Sequence, residues 1–224
     1  MMMVSLFSIF DPSTPNFMHS NLTSTLLFIP LAPTFMWACS NRLTKLLTLA
    51  TSYIRTEFKP IIKKSPFVLI IPLALFVFIA CNNSMGLAPY IFTGTSQLIL
   101  TASLAIPLWM SLTTYGWMNN TSNMLAHLIP QGTPMLIMPF MVMIETISNM
   151  IRPFTLAIRL TANMVAGHLL IVLLNSADTS TPSALAPLLL LAKLALLLLE
   201  LAVAFIQAYV FSVLVTLYAS EFTN

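Results

Sequence analysis

The sequence predicts an all-α, polytopic membrane protein with about five membrane helices and one amphipathic helix on the membrane surface. Hydrophobic residues make up 58% of the 224 residues and charged residues only 7%, whereas a soluble domain carries about 25% charged residues. The apolar runs are long and do not alternate with polar residues, which argues against a transmembrane β-barrel. We therefore expect a single membrane domain over residues 1–224.

Three apolar runs predict the first three membrane helices. They cover residues 22–39, 66–87 and 97–118, and each is close to the roughly 20 residues that a helix needs to cross a bilayer. The first run belongs to an N-terminal segment of about 1–40, and the other two make up a segment of 66–118. Prolines inside these runs agree with this assignment, because membrane helices tolerate proline better than soluble helices do.

Residues 41–65 are predicted to form a helix on the membrane surface. Apolar residues alternate there with cations, as in helices that lie in the membrane interface. Six of the nine Lys and Arg residues fall between Cys39 and Ser65, where Glu57 is the only acid. A basic segment between two apolar spans fits the positive-inside rule better than nucleic-acid binding. We therefore expect no nucleic-acid partner and a cytoplasmic or matrix location for this segment.

The number of crossings then predicts the side of every other segment. The N-terminus and the loops at 88–96 and 175–182 would lie outside, while residues 119–134 and the C-terminus would lie inside. The outside segments contain no Lys or Arg, which agrees with this topology. The N-terminus has neither a basic region nor an Arg-rich presequence, so no cleavable targeting peptide is expected.

The last part of the chain, residues 135–222, is predicted to contain two unusually long helices. Polar, proline-containing loops at 119–134 and 175–182 delimit helical stretches at 135–174 and 183–220. At 1.5 Å per residue the second would be roughly 57 Å long, nearly twice the ~30 Å hydrocarbon core. Because neither stretch has a clear turn signal in its middle, we expect steep tilt rather than folding back.

Each long stretch carries its few polar side chains on one face, since residues seven apart on a helix return to within about 20°. The first stripe consists of Glu145, Asn149, Arg152, Arg159 and Asn163. The second follows steps of seven through Lys193, Glu200, Gln207, Leu214 and Glu221. Two apolar helices with one ionisable stripe each are typical of the walls of an ion path.

Among the polar residues of the two stripes, Arg159 is the hardest to explain by a structural role. Its guanidinium stays charged at any accessible pH, and a charge at membrane depth costs at least ~2.5–3.5 kcal/mol. Glu200 lies similarly deep within its run.

Structural alternatives stay open for other polar residues: Arg152 could pair with Glu145, Lys193 could reach the headgroups, Glu221 could be solvated, His127 could be a loop contact and His168 a core histidine.

No cofactor or metal is expected from the sequence. It contains no metal-ligand spacing, no nucleophile elbow and no glycine loop for phosphate. Cys39 and Cys81 lie in or beside apolar runs and form no spacing pattern, so we interpret them as small buried hydrophobic residues.

Four blocks stand out in the second half of the chain: HLIPQGTP at 127–134, IETIS at 144–148, RLTANMVAGHLL at 159–170 and AFIQAYVF at 204–211. In this order they resemble subunit a of the rotary F-type ATP synthase, in its mitochondrial form. The resemblance is close over about residues 105–218. It extends to the N-terminal part only in pattern, including SNRL at 40–43.

The resemblance implies a fold, a location and partners. The last two helices would form a long, tilted hairpin against a rotating ring of c subunits. Other membrane subunits, peripheral-stalk subunits and the lipid bilayer would be further partners. The chain would be a non-catalytic proton-channel subunit of the mitochondrial inner membrane, with its N-terminus in the intermembrane space and its C-terminus in the matrix.

The resemblance also implies roles for individual residues. Arg159 would face the essential carboxylates of the ring and separate two offset half-channels. His168 and Glu200 would line the half-channel from the intermembrane space, while Glu145 and Glu221 would line the one to the matrix. The two polar neighbours of these paths would be Asn163 and Gln207.

The topology drawn from charges puts both half-channel pairs on the sides that the resemblance implies. Two positions fit it less well. Lys193 is not part of the family's pattern, and Glu221 lies in a short C-terminal motif that matches weakly.

The residues alone leave two other classes of function open. A self-contained secondary transporter or ion channel would use Arg159 to bind an anionic substrate and would transport when reconstituted alone. A non-translocating assembly subunit would need no ionisable stripe. The lack of an internal repeat argues against the transporter, and the two stripes argue against the assembly subunit.

Overall fold

Six α-helices and three short 3₁₀ helices form the regular structure within the residues that the computed structural model describes. These residues are 9–13, 21–26, 41–62, 66–88, 91–119, 121–129, 134–177, 182 and 186–223, and no β-strand occurs among them. The α-helices are α1 (Arg42–Phe58), α2 (Ile70–Gly86), α3 (Leu98–Asn119), α4 (Thr121–His127), α5 (Met138–Ala177) and α6 (Ala186–Thr223). The 3₁₀ helices are Asn21–Leu26, Pro66–Leu69 and Gly94–Ser96.

Three of the described helices are long and apolar enough to cross a membrane, namely α3, α5 and α6. Helix α2 is a shorter apolar helix of 17 residues, preceded by the 3₁₀ helix Pro66–Leu69. This architecture confirms the prediction of an all-α polytopic membrane protein. The predicted first span at 22–39 lies largely outside the described residues, so the number of five spans stays a prediction.

Helix α1 coincides with the predicted surface segment. It begins after Asn41, whose backbone is extended, and no glycine or proline interrupts it before Pro60. One side carries Ile54 and Phe58, which are 6% and 1% exposed and pack beside the C-terminal part of α6. Cations and exposed apolar residues occupy the remaining surface, as expected of an interfacial helix.

Helix α4 corrects one prediction, because it lies within the segment 119–134 that the sequence analysis assigned to a loop. The residues Thr121–His127 are polar on average, and this polarity suggested a loop. Polar residues do not by themselves prevent a helical backbone, and no glycine or proline occurs before Pro130. The helix ends at His127, just before that proline.

The two long helices are continuous. Helix α5 has 40 residues and α6 has 38, so they are about 60 and 57 Å long. Both begin and end three residues later than predicted. The continuity confirms that neither stretch folds back on itself, although Pro153 lies inside α5. The tilt of these helices against the bilayer stays a prediction.

The hydrophobic core lies where α2 packs along α6 and α3 packs along α5. Ile79, Leu160 and Phe211 are each 1% exposed at its centre. Ala157 and Ala208 are also buried in this cluster, and such small side chains allow membrane helices to approach closely. Helices α2 and α3 therefore support one side of the α5–α6 pair and fix which of its side chains are buried.

Candidate functional site

Arg159 lies on the side of α5 that points away from the core. Leu156, Leu160 and Met164 on the core side of α5 are 5%, 1% and 3% exposed, whereas Ile158 beside Arg159 is 54% exposed. Arg159 is also exposed, and it forms no ion pair with another residue of the described chain. The guanidinium is therefore presented on the open, apolar side of the long helices, where another subunit could reach it.

A hydrogen bond joins the two polar stripes one turn beyond Arg159. The Asn163 Nδ2 group donates to the Gln207 Oε1 atom over 3.1 Å. Gln207 is only 6% exposed, because its side of α6 faces the neighbouring helices. The bond fixes the register between α5 and α6 at this depth.

Glu200 is buried directly against Gly167 of α5. Its side chain is 6% exposed, and its Oε1 atom occupies the space next to the Gly167 backbone. A Cβ atom added at Gly167 would lie 2.6 Å from the Glu200 Cδ and 2.7 Å from its Cγ. Only glycine therefore allows the carboxyl group to lie there in this conformation. We refer to Asn163, Gly167, His168, Glu200 and Gln207 as the Glu200 cluster.

The N-terminal segment covers one side of this cluster at His168. The Phe10 ring meets the His168 imidazole edge-on, with 6.5 Å between centroids. The backbone carbonyl of Phe10 accepts a hydrogen bond from the Gln97 side chain, which ties the segment to the start of α3. Next to it, the backbone N–H of Ser13 donates to the Asp11 carboxylate over 3.0 Å and lowers the pKa of Asp11.

Helix α2 adds polar residues that the sequence analysis did not identify. The Asn83 Nδ2 group donates to the backbone carbonyl of Ala204 over 3.5 Å, between Glu200 and Gln207 on α6. Asn83 is fully buried and Asn82 is 8% exposed. The sequence signal for these contacts is the polar run at 82–84, near the end of an otherwise apolar helix.

Several buried polar atoms in this region have no hydrogen-bond partner among the described residues. They are Asn82 Nδ2, Asn83 Oδ1, Thr95 Oγ1, His168 Nε2, both carboxyl oxygens of Glu200, and Gln207 Nε2. Leaving buried polar groups unpaired is costly, so folded proteins usually satisfy them with protein groups or water. Such a concentration of polar atoms is typical of a region that water or a transferred proton can enter.

A second polar site lies near the N-terminal end of α5. The Arg152 guanidinium donates to the Glu145 Oε1 atom over 3.4 Å, with 32% and 34% of the two side chains exposed. The Arg152 Cζ atom also lies 5.6 Å from the centroid of the Tyr218 ring on α6. We call Glu145 and Arg152 the Glu145 pair. The pairing agrees with the structural alternative that the sequence left open for Arg152.

Helix geometry gives the separation of these two sites. Glu145 and Gly167 are 22 residues apart on α5, which corresponds to about 33 Å along the axis. Arg159 lies between them, about 21 Å from Glu145 and about 12 Å from Gly167 by the same rise. The helix thus carries two polar sites at different depths with one exposed cation in between.

The chain matches the family model of the ATP synthase A chain over residues 17–220. It is also 50% identical to ATP synthase subunit a of Locusta migratoria, and 51% identical to the proteins of that name from Drosophila melanogaster and Anopheles quadrimaculatus. Each comparison covers 98% of this chain and 99% of the relative. The chain belongs to the ATP synthase subunit a family.

Subunit a forms the proton channel in the stator of the F-type ATP synthase, which confirms the function expected from the sequence. The chain is therefore a component of the ATP synthase complex. Together with its apolar helices, the insect relatives identify it as a multi-pass protein of the mitochondrial inner membrane. Family membership favours this function over the self-contained transporter or channel.

Three residues of this chain keep an open role. The backbone of Glu221 lies in the last turn of α6, but the side chain lies outside the described part. The place of Glu221 in a half-channel therefore stays a prediction. Lys193 is half-buried on α6, seven residues before Glu200. The side chain of His127 also lies outside the described part.

Proposed function

We propose that this chain conducts protons along two offset half-channels that end on either side of Arg159. The proposal rests on one observation above all: two polar sites about 33 Å apart along α5, with an exposed arginine between them that no described residue pairs with. A continuous channel would need no fixed charge in its middle. Two separate paths need one, because a direct connection would dissipate the membrane potential.

The half-channel from the intermembrane space runs through the Glu200 cluster in this proposal. His168 and Glu200 exchange protons, and Asn163 and Gln207 orient them or the water beside them. The buried, unpartnered oxygens of Glu200 support this role. The half-channel to the matrix involves Glu145 and Glu221. This direction corresponds to an N-terminus in the intermembrane space and a C-terminus in the matrix.

The proton carrier between the two paths is a carboxyl group on a rotating c-ring. When protonated, that group can face lipid, where an ionised carboxylate would be too costly. The exposed side of α5 supports docking of the ring, because Ala162 and Ala166 lie on it beside Arg159 and small residues allow close helix packing. Other membrane subunits and the peripheral stalk would hold the chain against rotation.

Arg159 acts on the ring carboxyl group in two ways. It stabilises the ionised form after the proton has left towards the matrix, and it repels protons that would pass directly between the half-channels. Each charge that crosses gains about 2.3 kcal/mol per 100 mV of membrane potential. A guanidinium performs this role at every pH, because it does not lose its proton.

The decisive experiment replaces Arg159 in the complete ATP synthase reconstituted into vesicles. Arg159→Ala is expected to abolish proton-driven ATP synthesis, since neither function of the charge remains. Arg159→Lys is expected to fail or nearly fail, because an ammonium that the docked ring buries at this depth can lose its proton. Arg42→Ala, which removes an exposed arginine on α1, is the matched control and should retain synthesis. Full coupled synthesis by an assembled Arg159→Ala complex would refute the proposal.

A further inference from the structure

A notch of about 340 Å³ opens between α1 and the start of α2, far in sequence from the polar sites described above. Thr51, Ser52 and Arg55 line it from α1. The opposite wall consists of Leu69, Ile70 and Leu73. The notch is thus polar and cationic on the side of the surface helix, and apolar on the side of the membrane helix.

The polar wall has the chemistry of a phosphate site. Arg55 is exposed and forms no ion pair with another described residue, so its five N–H donors remain available to a bidentate anion. The Ser52 hydroxyl donates to the Leu49 carbonyl over 2.8 Å, and the Thr51 hydroxyl to the Thr48 carbonyl over 3.1 Å. Their oxygen lone pairs remain free to accept from hydroxyl groups of a ligand.

The apolar wall continues directly into the membrane-facing surface. Leu69 is 7% exposed, whereas Ile70 and Ile71 in the first turn of α2 are 58% and 44% exposed. On α1, Leu49 and Tyr53 are each 67% exposed. An elongated apolar chain that enters at the notch would therefore find a continuous surface along α2. A free phosphate ion would leave this surface uncovered.

We propose that the notch binds an anionic phospholipid, with its phosphate on Arg55 and an acyl chain along the first turns of α2. Charge complementarity selects an anionic lipid, and the apolar wall selects a lipid over a soluble anion. The bound lipid would hold α1 against the bilayer surface. Because Ile54 and Phe58 of α1 pack in one cluster with Ala219 of α6, it would also steady the C-terminal end of α6.

The test uses the complete, purified ATP synthase and a phosphatidylglycerol probe with a photoactivatable group in its acyl chain. Mass spectrometry of the labelled complex measures how much probe attaches to residues 42–73. Arg55→Gln is expected to reduce this labelling about tenfold, the loss typical of a hydrogen bond to a charged group. Arg42→Gln, on the same helix but outside the notch, is the matched control and should label like the parent complex.

Two further arms separate the lipid from other occupants. Millimolar inorganic phosphate should not displace the probe, and a phosphatidylcholine probe with the same photoactivatable chain should label residues 42–73 more weakly. Thr51→Leu fills the notch without changing the charge, and should also reduce labelling. If the Arg55→Gln complex does not assemble, unchanged labelling in Thr51→Leu would overturn the proposal and reduced labelling would support it.

Four results would overturn the proposal: unchanged labelling in Arg55→Gln, an equal loss in Arg42→Gln, displacement by inorganic phosphate, or no labelling of residues 42–73 in the parent complex. The last result would mean that another subunit covers the notch. None of these measurements depends on proton translocation, so the lipid site and the proposed half-channels stand or fall separately.

Discussion

Glu200 and Glu145 each carry a carboxyl group on one of the long helices, yet their side chains differ in every contact that the structure describes. Glu200 is 6% exposed, lies against the Gly167 backbone and has no hydrogen-bond partner among the described residues. Glu145 is about one-third exposed and pairs with Arg152 over 3.4 Å. The Tyr218 ring in turn contacts the same arginine.

The difference suits the opposite tasks that we propose for the two residues along the proton path. A carboxylate with a guanidinium partner and open surroundings has its charge compensated by that partner. A buried carboxyl group without a protein partner depends on water or on a proton for its hydrogen bonds. We therefore expect loss of the Glu200 carboxyl group to impair proton flux more than loss of the Glu145 pair.

Among the substitutions that test this difference, Glu200→Gln should reduce proton flux the most. Glutamine matches glutamate in shape but cannot exchange a proton. Because a positioned acid–base group typically contributes 10²–10⁴-fold to proton transfer, we expect proton flux to fall at least about 100-fold while the complex remains assembled. ATP-driven acidification of vesicles measures this flux. Glu57→Gln on exposed α1 is the control, and near-normal flux in Glu200→Gln would remove Glu200 from the path.

Gly167→Ala tests the Glu200 cluster by geometry instead of chemistry. The new Cβ would overlap the Glu200 side chain, 2.6 Å from its Cδ, and overpacking of this kind costs about 1–3 kcal/mol. We expect proton flux to fall about tenfold, less than the roughly 100-fold that a 1 Å misplacement of a reacting group can cost, because the displaced carboxyl group can still exchange a proton.

Combining Gly167→Ala with Glu200→Ala provides the control for this contact. Alanine at position 200 lacks the Cγ and Cδ atoms that the added Cβ would overlap, so Gly167→Ala should lower the melting temperature of the complex less in this background than in the parent. An equal loss of stability in both backgrounds would mean that Gly167→Ala acts through a cause other than the contact with Glu200.

Much of this arrangement could be predicted from the sequence, because a helix repeats its faces at a fixed spacing. Steps of seven put Glu200 and Gln207 on one face, and both are buried on that face. The same spacing predicted that Arg152 could pair with Glu145, as it does. The motif around Arg159 indicated the family, which the comparisons confirm.

Contacts between helices could not be predicted in the same way. Periodicity tells which face of a helix is polar, but not which residue of another helix meets it. The contact of Gly167 with Glu200 depends on the register of α5 against α6, and that of Asn83 with Ala204 on the packing of α2 along α6. Both arise from the packing of residues far apart in the chain.

Arg152→Gln, which tests the Glu145 pair, should reduce proton flux less. It removes the ion pair with Glu145 and the contact with the Tyr218 ring. Partly exposed ion pairs contribute about 0–1 kcal/mol and cation–π contacts about 0.5–1 kcal/mol. At the middle of these ranges the two contacts together contribute about 1.3 kcal/mol, so we expect proton flux to decrease by less than about tenfold, measured in the same vesicles as for Glu200→Gln. A loss as large as that in Glu200→Gln would show that the two sites do not differ as proposed.

The smallest effect is expected from the bond between Asn163 and Gln207, which is 3.1 Å long. Hydrogen bonds between membrane helices contribute about 0.6 kcal/mol on average and about 1.7 kcal/mol at most, so Asn163→Ala should lower proton flux about threefold, the factor that corresponds to the average. The double-mutant cycle with Gln207→Ala isolates the bond. A coupling of that size would identify it as a positioning contact between the stripes. Zero coupling, with large losses in both single variants, would mean that each amide contacts the proton path on its own.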